Sequence, residues 1–176
     1  MNVFNLWPLR VWRWAVSWIP FSGWSRRTRS IWISGPLKTG ERPEDLHFDF
    51  DILPDNKGGQ ILTAAISGFY PPGSAGNEHA RVMQNQVSNK INEIQPSAVL
   101  FDLSGLDYVW GDTICCLAVT TIQHSLPSCI YATGRTATAL EGIFSIFKPH
   151  VKLFRDHENA IVYLGDQLGI TPSNIH

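Results

Sequence analysis

The sequence predicts a single α/β domain with a mixed central sheet and helices packed on it, preceded by an arm rich in tryptophan and arginine. Three observations lead there. From residue 46 onward, short apolar runs alternate with segments whose apolar residues recur at spacings of three or four, the signature of strands alternating with helices. A length of 176 residues suffices for one domain with a real core and is short for two. Composition shifts sharply near residue 35: residues 1–32 hold six of the seven tryptophans, and their only charges are Arg10, Arg13, Arg26, Arg27 and Arg29. The organisation is therefore an arm over residues 1–34, a linker over 35–45, a domain over 46–170 and a tail over 171–176. No internal repeat is present.

Taken in order, LHFDFDIL (46–53) alternates apolar Leu46, Phe48, Phe50 and Ile52 with polar His47, Asp49 and Asp51, the period of a half-buried strand. PDNKGGQ is a hairpin-type turn, and ILTAAISGFY is a second, more buried strand. PPGSAGNEH is a loop that hands over near Asn77 to a helix carrying Ala80, Met83, Val87, Ile91 and Ile94, ended by Pro96. SAVLFDLSGL begins as a continuous apolar run, typical of a central strand buried on both faces. DTICCLAVTTIQHS reads as a helix with Asp112 at its start, closed by Pro127. SCIYAT is a strand, Thr133-Gly134 a turn, and TATALEGIFSIF a helix stopped before Pro149. A short strand through Val151, Leu153 and Phe154, an N-cap at Asp156, and a helix with Ala160, Ile161 and Leu164 complete the domain.

The arm reads as an amphipathic helix. Pro8 suits a first helical position and Pro20 a stop; between them Arg10, Arg13 and Ser17 form one narrow polar stripe within a wide apolar face. About twelve residues span ~18 Å, short of a ~30 Å bilayer core. The internal arginines and the absence of a small-residue cleavage pattern argue against a secretory signal. Three roles fit Trp7, Arg10, Trp12, Arg13, Trp14 and Trp18: lying on an anionic membrane surface, filling a groove on a partner protein, or folding back onto the body.

Charge separates the same regions. Residues 1–40 carry +6 and residues 41–176 carry −7, which gives the net −1. An acidic body lacks the basic footprint of a nucleic-acid binder, so no nucleic-acid partner is expected. Cys115, Cys116 and Cys129 form no even framework and no spaced zinc pairs; they read as reduced, buried small hydrophobes of a cytoplasmic protein, with no metal and no cofactor. No Gly-x-Ser-x-Gly elbow, His-Glu-x-x-His, Walker loop or dinucleotide glycine pattern occurs. The glycine-rich loop 68–77 has prolines where phosphate-binding N–H groups would be needed. His124 suits a helix C-terminus, and His79 and His157 near helix starts read as solvent-facing. A non-catalytic protein is the expectation.

The order of these elements and their local words resemble the STAS domain family of sulfate transporters and anti-sigma-factor antagonists, over about residues 46–168. VLFDLSGLDYVWGDTICCLAV is similar to that family's strand ending in Asp-Leu-Ser-Gly, aromatic-aliphatic pair, small polar loop and apolar helix, and KLFRDHENAI to its closing strand, cap and last helix. The resemblance implies a module that binds a protein partner through this loop. The family's loop usually reads Asp-Ser-Ser-Gly, and in antagonists its second hydroxyl is phosphorylated by a partner kinase. Residues 110–113 are instead Trp110, Gly111, Asp112 and Thr113, so a carboxylate with one charge stands where phosphate would bring about two. Thr113, one residue on, is the nearest hydroxyl to that position.

Asp107, Trp110, Gly111, Asp112 and Thr113 are the candidate partner-binding residues. Asp112 also has a structural role open to it as the N-cap of the following helix. Asp102 and Asp107 flank a Ser-Gly turn whose N–H groups they would satisfy. Trp110 suits a partner anchor at a strand's carboxyl end, and burial under the arm would suit it equally. The expected function is a protein-binding regulatory module in the cytoplasm. The alternatives are an accessory protein held at the inner face of the membrane by its arm, or an inhibitor or immunity protein whose acidic body meets a basic target.

Overall fold

The computed structural model describes residues 46–55, 58–145 and 150–169. The arm, with Trp7, Arg10, Trp12, Arg13, Trp14 and Trp18, the linker and the tail lie outside the described residues. So do the middle of the first turn and the stretch around Pro149.

The strands are β1 (Leu46–Pro54), β2 (Gln60–Phe69), β3 (Ala98–Asp102), β4 (Leu106–Asp107), β5 (Ser128–Tyr131) and β6 (Val151–Phe154). The helices are α1 (Asn77–Ile94), α2 (Cys116–Gln123), α3 (Gly134–Phe144) and α4 (His157–Gln167), with short 3₁₀ turns at Gly73–Gly76 and Asp112–Cys115. The sheet runs β1-β2-β3-β5-β6, and β4 pairs with the far end of β2. β1 and β2 form an antiparallel hairpin in the register Leu46↔Gly68 to Pro54↔Gln60. All other pairings among the described residues are parallel. Parallel neighbours need long crossovers, which α1, α2 and α3 supply.

Alternation along β3 divides the interior. Val99 and Phe101 join a core with Leu62, Ala64 and Ile66 of β2 and the inward faces of α1, α2 and α3. Ala98 and Leu100 point the other way, toward Cys129 and the Ala160 and Leu164 positions of α4. Each fully buried Leu, Ile or Phe contributes roughly 1.5–3 kcal/mol relative to exposure, so the larger cluster anchors the strand ends from which the loops leave.

The expected α1 is matched to the residue. Ala80, Met83, Val87 and Ile91 are buried, and Gln95 ends the helix in a left-handed conformation (φ 53°) just before Pro96. Asp156 caps α4 by accepting a hydrogen bond from the Asn159 amide at 2.9 Å. Some expectations need correction. Ile52 lies on the core side of β1 by its pairing with Leu62, yet it is 45% exposed, because alternation specifies a face and not what covers it. His79 is buried, edge-on to the Tyr70 ring at 6.1 Å, and is not solvent-facing. His157 is half-buried against Tyr131. The glycines expected in a loop at 73–76 form a 3₁₀ turn that leads into α1.

Candidate functional site

β2, β3 and β4 run parallel; β3 ends opposite Ala65, and β2 and β4 end in register at Phe69 and Asp107, so the segments 70–76 and 108–115 emerge at the same carboxyl edge of the sheet, after a short connection from β3 to β4. That connection is a turn. Asp102 accepts a hydrogen bond from the Ser104 amide at 2.9 Å, as expected of an aspartate before Ser-Gly. β4 follows, too short to have been visible as periodicity. Its Asp107 does not serve the turn; its carboxylate accepts from the Arg135 guanidinium at 2.7 Å, across from the first turn of α3. Both side chains are more than half exposed, which puts the pair at about 0.2–1 kcal/mol.

The loop then crosses the 70–76 segment. Tyr108 is fully buried and donates its hydroxyl to the Gly111 carbonyl at 2.7 Å. Its ring meets Tyr70 edge-on, with centroids 5.5 Å apart. The Gly73 amide donates to the Trp110 carbonyl at 3.1 Å. The Trp110 indole lies directly over Gly73: a Cβ there would stand 2.5 Å from the ring, so a side chain at 73 would displace the indole. Gly73 (φ 62°) and Gly111 (φ 149°) both hold positive φ, the second reason for glycine at these two points.

Of the expected site residues, the structure brings all five onto one loop but turns them two ways. Asp107, Trp110 and Asp112 face solvent, with Trp110 61% exposed. Gly111 and Thr113 face inward. Thr113 is buried, and its hydroxyl is 2.7 Å from that of the fully buried Tyr70. Asp112 is not an N-cap. Gly111 occupies the position before the 3₁₀ turn, Asp112 lies within that turn, and α2 begins only at Cys116. It therefore adds negative charge near the helix start without capping it. Sequence reading missed Tyr70, Tyr108, Gly73 and Arg135, and also the exposed apolar side chains Phe69 and Val109 near the same edge. Tyr70 and Gly73 stand in the word Tyr-Pro-Pro-Gly, where an aromatic followed by a turn was the available signal.

The buried groups here are poorly placed to ionise near neutrality. Burial pushes both phenols up, and the Asp112 charge adds to this at each. Burial, and then the Asp112 charge, push the Cys115 thiol up to about 12; burial alone takes Cys129 to about 12, and Cys116 is raised as well. These are thiols held neutral as packing groups, as expected, and not nucleophiles. What the site offers is a loop tied by these hydrogen bonds, with an exposed indole and an exposed carboxylate.

No family model matches the sequence, and no curated protein matches it. Among solved structures, an anti-sigma factor antagonist from Mycobacterium paratuberculosis superposes with a TM-score of 0.51 over 73% of this chain and 98% of its own length. The chain has a STAS-like fold. At 15% identity the likeness is one of architecture. The anti-sigma factor antagonist SpoIIAA in its unphosphorylated form is also similar, at 10% identity and a TM-score of 0.47 over 71% of this chain and 99% of that one. The first superposition bears out the expected architecture, a mixed central sheet opened by a hairpin with helices packed on it.

Proposed function

We propose that this STAS-like domain is a non-catalytic regulatory module that acts by binding another protein through the loop over residues 107–113. The observation that carries the reading is Trp110. A tryptophan left 61% exposed on a loop stapled in place at the carboxyl edge of the sheet has the character of a binding hot spot, large in apolar area and low in entropic cost. Asp112 beside it supplies a charge by which a partner can be selected. The fold supports the same reading, because the similar structure from Mycobacterium paratuberculosis is named as an antagonist of an anti-sigma factor, and so as a protein that acts on a protein. The raised phenols and thiols around the loop favour binding over acid-base or nucleophilic chemistry. The test is affinity purification with the full chain as bait: Trp110→Ala and Asp112→Arg lose the captured partner while the fold is kept, and undiminished capture by both variants contradicts the reading.

A second reading is favoured by one observation, the six tryptophans and five arginines of residues 1–32 with no acid among them. Such a segment would place the module at an anionic membrane surface, at the inner face of a cytoplasmic membrane. Among the described residues no helix is long and apolar enough to cross a membrane. Liposome flotation with and without residues 1–32 tests the arm: anionic vesicles carry the full chain and not the truncated one, and equal flotation removes the arm from the account.

A further inference from the structure

Resting on the reading of the 107–113 loop as the partner surface, we infer that Tyr70 and Tyr108 are positioning residues that clamp this loop into one conformation and withdraw its Thr113 hydroxyl from modification. Neither residue reaches solvent, so neither can touch a partner. Both act through the loop. The Tyr108 hydroxyl holds the Gly111 carbonyl at 2.7 Å, and the Tyr70 hydroxyl meets the Thr113 hydroxyl at 2.7 Å, so the two phenols grip the loop on either side of Asp112. Just before them the Trp110 carbonyl accepts from the Gly73 amide, and the indole lies on Gly73. The two exposed groups, Trp110 and Asp112, thus stand on a loop held at three points, two backbone carbonyls and the Thr113 side chain, and the loop takes its shape without a partner to impose it.

Within 107–113 the hydroxyls are that of Tyr108, fully buried on the Gly111 carbonyl, and that of Thr113. The latter is buried and engaged by Tyr70, so a phosphate on it would need the Tyr70 contact to break and the first turn before α2 to open. The surface is therefore constitutive: preformed, and closed to switching at its own hydroxyls.

The clamp is tested on the full chain without any partner. In an ¹H–¹⁵N spectrum the Trp110 indole resonance is the one that disappears in Trp110→Phe. Tyr70→Phe and Thr113→Val each move that resonance beyond its linewidth and speed exchange of the Gly73 amide by about tenfold, while α4 amides exchange as in the wild type. Thr113→Ser, which keeps the hydroxyl, leaves both readings at their wild-type values. The clamp is overturned if Tyr70→Phe and Thr113→Val leave the indole resonance and Gly73 exchange unchanged, or if exchange rises equally in α4, which would make the effect a general loss of stability. Either result leaves the Trp110→Ala capture experiment standing, and a failure of that experiment leaves the clamp standing.

Discussion

Two apolar helices in this chain are preceded by an aspartate, and the same sequence signal has two structural outcomes. At Asp156 the backbone is extended (φ −129°, ψ 129°), the side chain turns back, and its carboxylate accepts from the Asn159 amide. At Asp112 the chain arrives through Gly111 at φ 149° and winds a 3₁₀ turn first, so the carboxylate is left facing water. Asp156 follows the end of β6 by two residues. Asp112 follows a loop already shaped by Tyr70, Tyr108 and Gly73. An N-cap is a local device, and it yields where non-local contacts set the backbone.

The widest gap between the two starts appears on disturbing the floor beneath the 112 loop. Gly76 packs against Tyr70, and a Cβ there would lie 2.6 Å from the Pro71 carbonyl oxygen; Gly76→Ala is expected to cost ~2–3 kcal/mol by denaturant unfolding. A cost below ~1 kcal/mol would mean that packing does not shape the loop. Next comes Gly111→Ala. Its Cβ would meet nothing closer than 3.4 Å, so the cost is conformational, about 1–3 kcal/mol for an alanine at positive φ, read in the same experiment. Asp156→Ala removes a true cap, worth ~1 kcal/mol or a fall in Tm of about 2–4 °C for a chain of this size. The smallest effect is expected at the other aspartate: Asp112→Ala changes stability by less than ~0.5 kcal/mol. Equal losses for Asp112→Ala and Asp156→Ala would erase the distinction.

The architecture was legible where the signal is periodic and local. α1 follows from Ala80, Met83, Val87 and Ile91, the buried β3 from its unbroken apolar run, and the α4 cap from Asp156. Trp110 and Asp112 stood out in the sequence as unusual residues at a strand's carboxyl end, but whether the indole lay exposed or covered was not legible there. Nor was the buried half of the site. Thr113 meets Tyr70 across 43 residues, and no spacing rule connects them. His79 failed for the same reason: near a helix start it looks wet, and only the fold brings the Tyr70 ring against it. β4, two residues long, carries no periodicity to read.

If the exposed residues of this loop bind a protein, baits that differ only there must differ in what they capture. Full-length wild type, Trp110→Ala, Asp112→Arg and a control, Glu158→Arg on the exposed side of α4, are compared by quantitative affinity purification from the native cell, with Tm measured for each. One protein is expected to be enriched by wild type and control alike and lost from both loop variants, with all four Tm values within about 2 °C. The same protein retained by Trp110→Ala and Asp112→Arg would contradict binding through this loop.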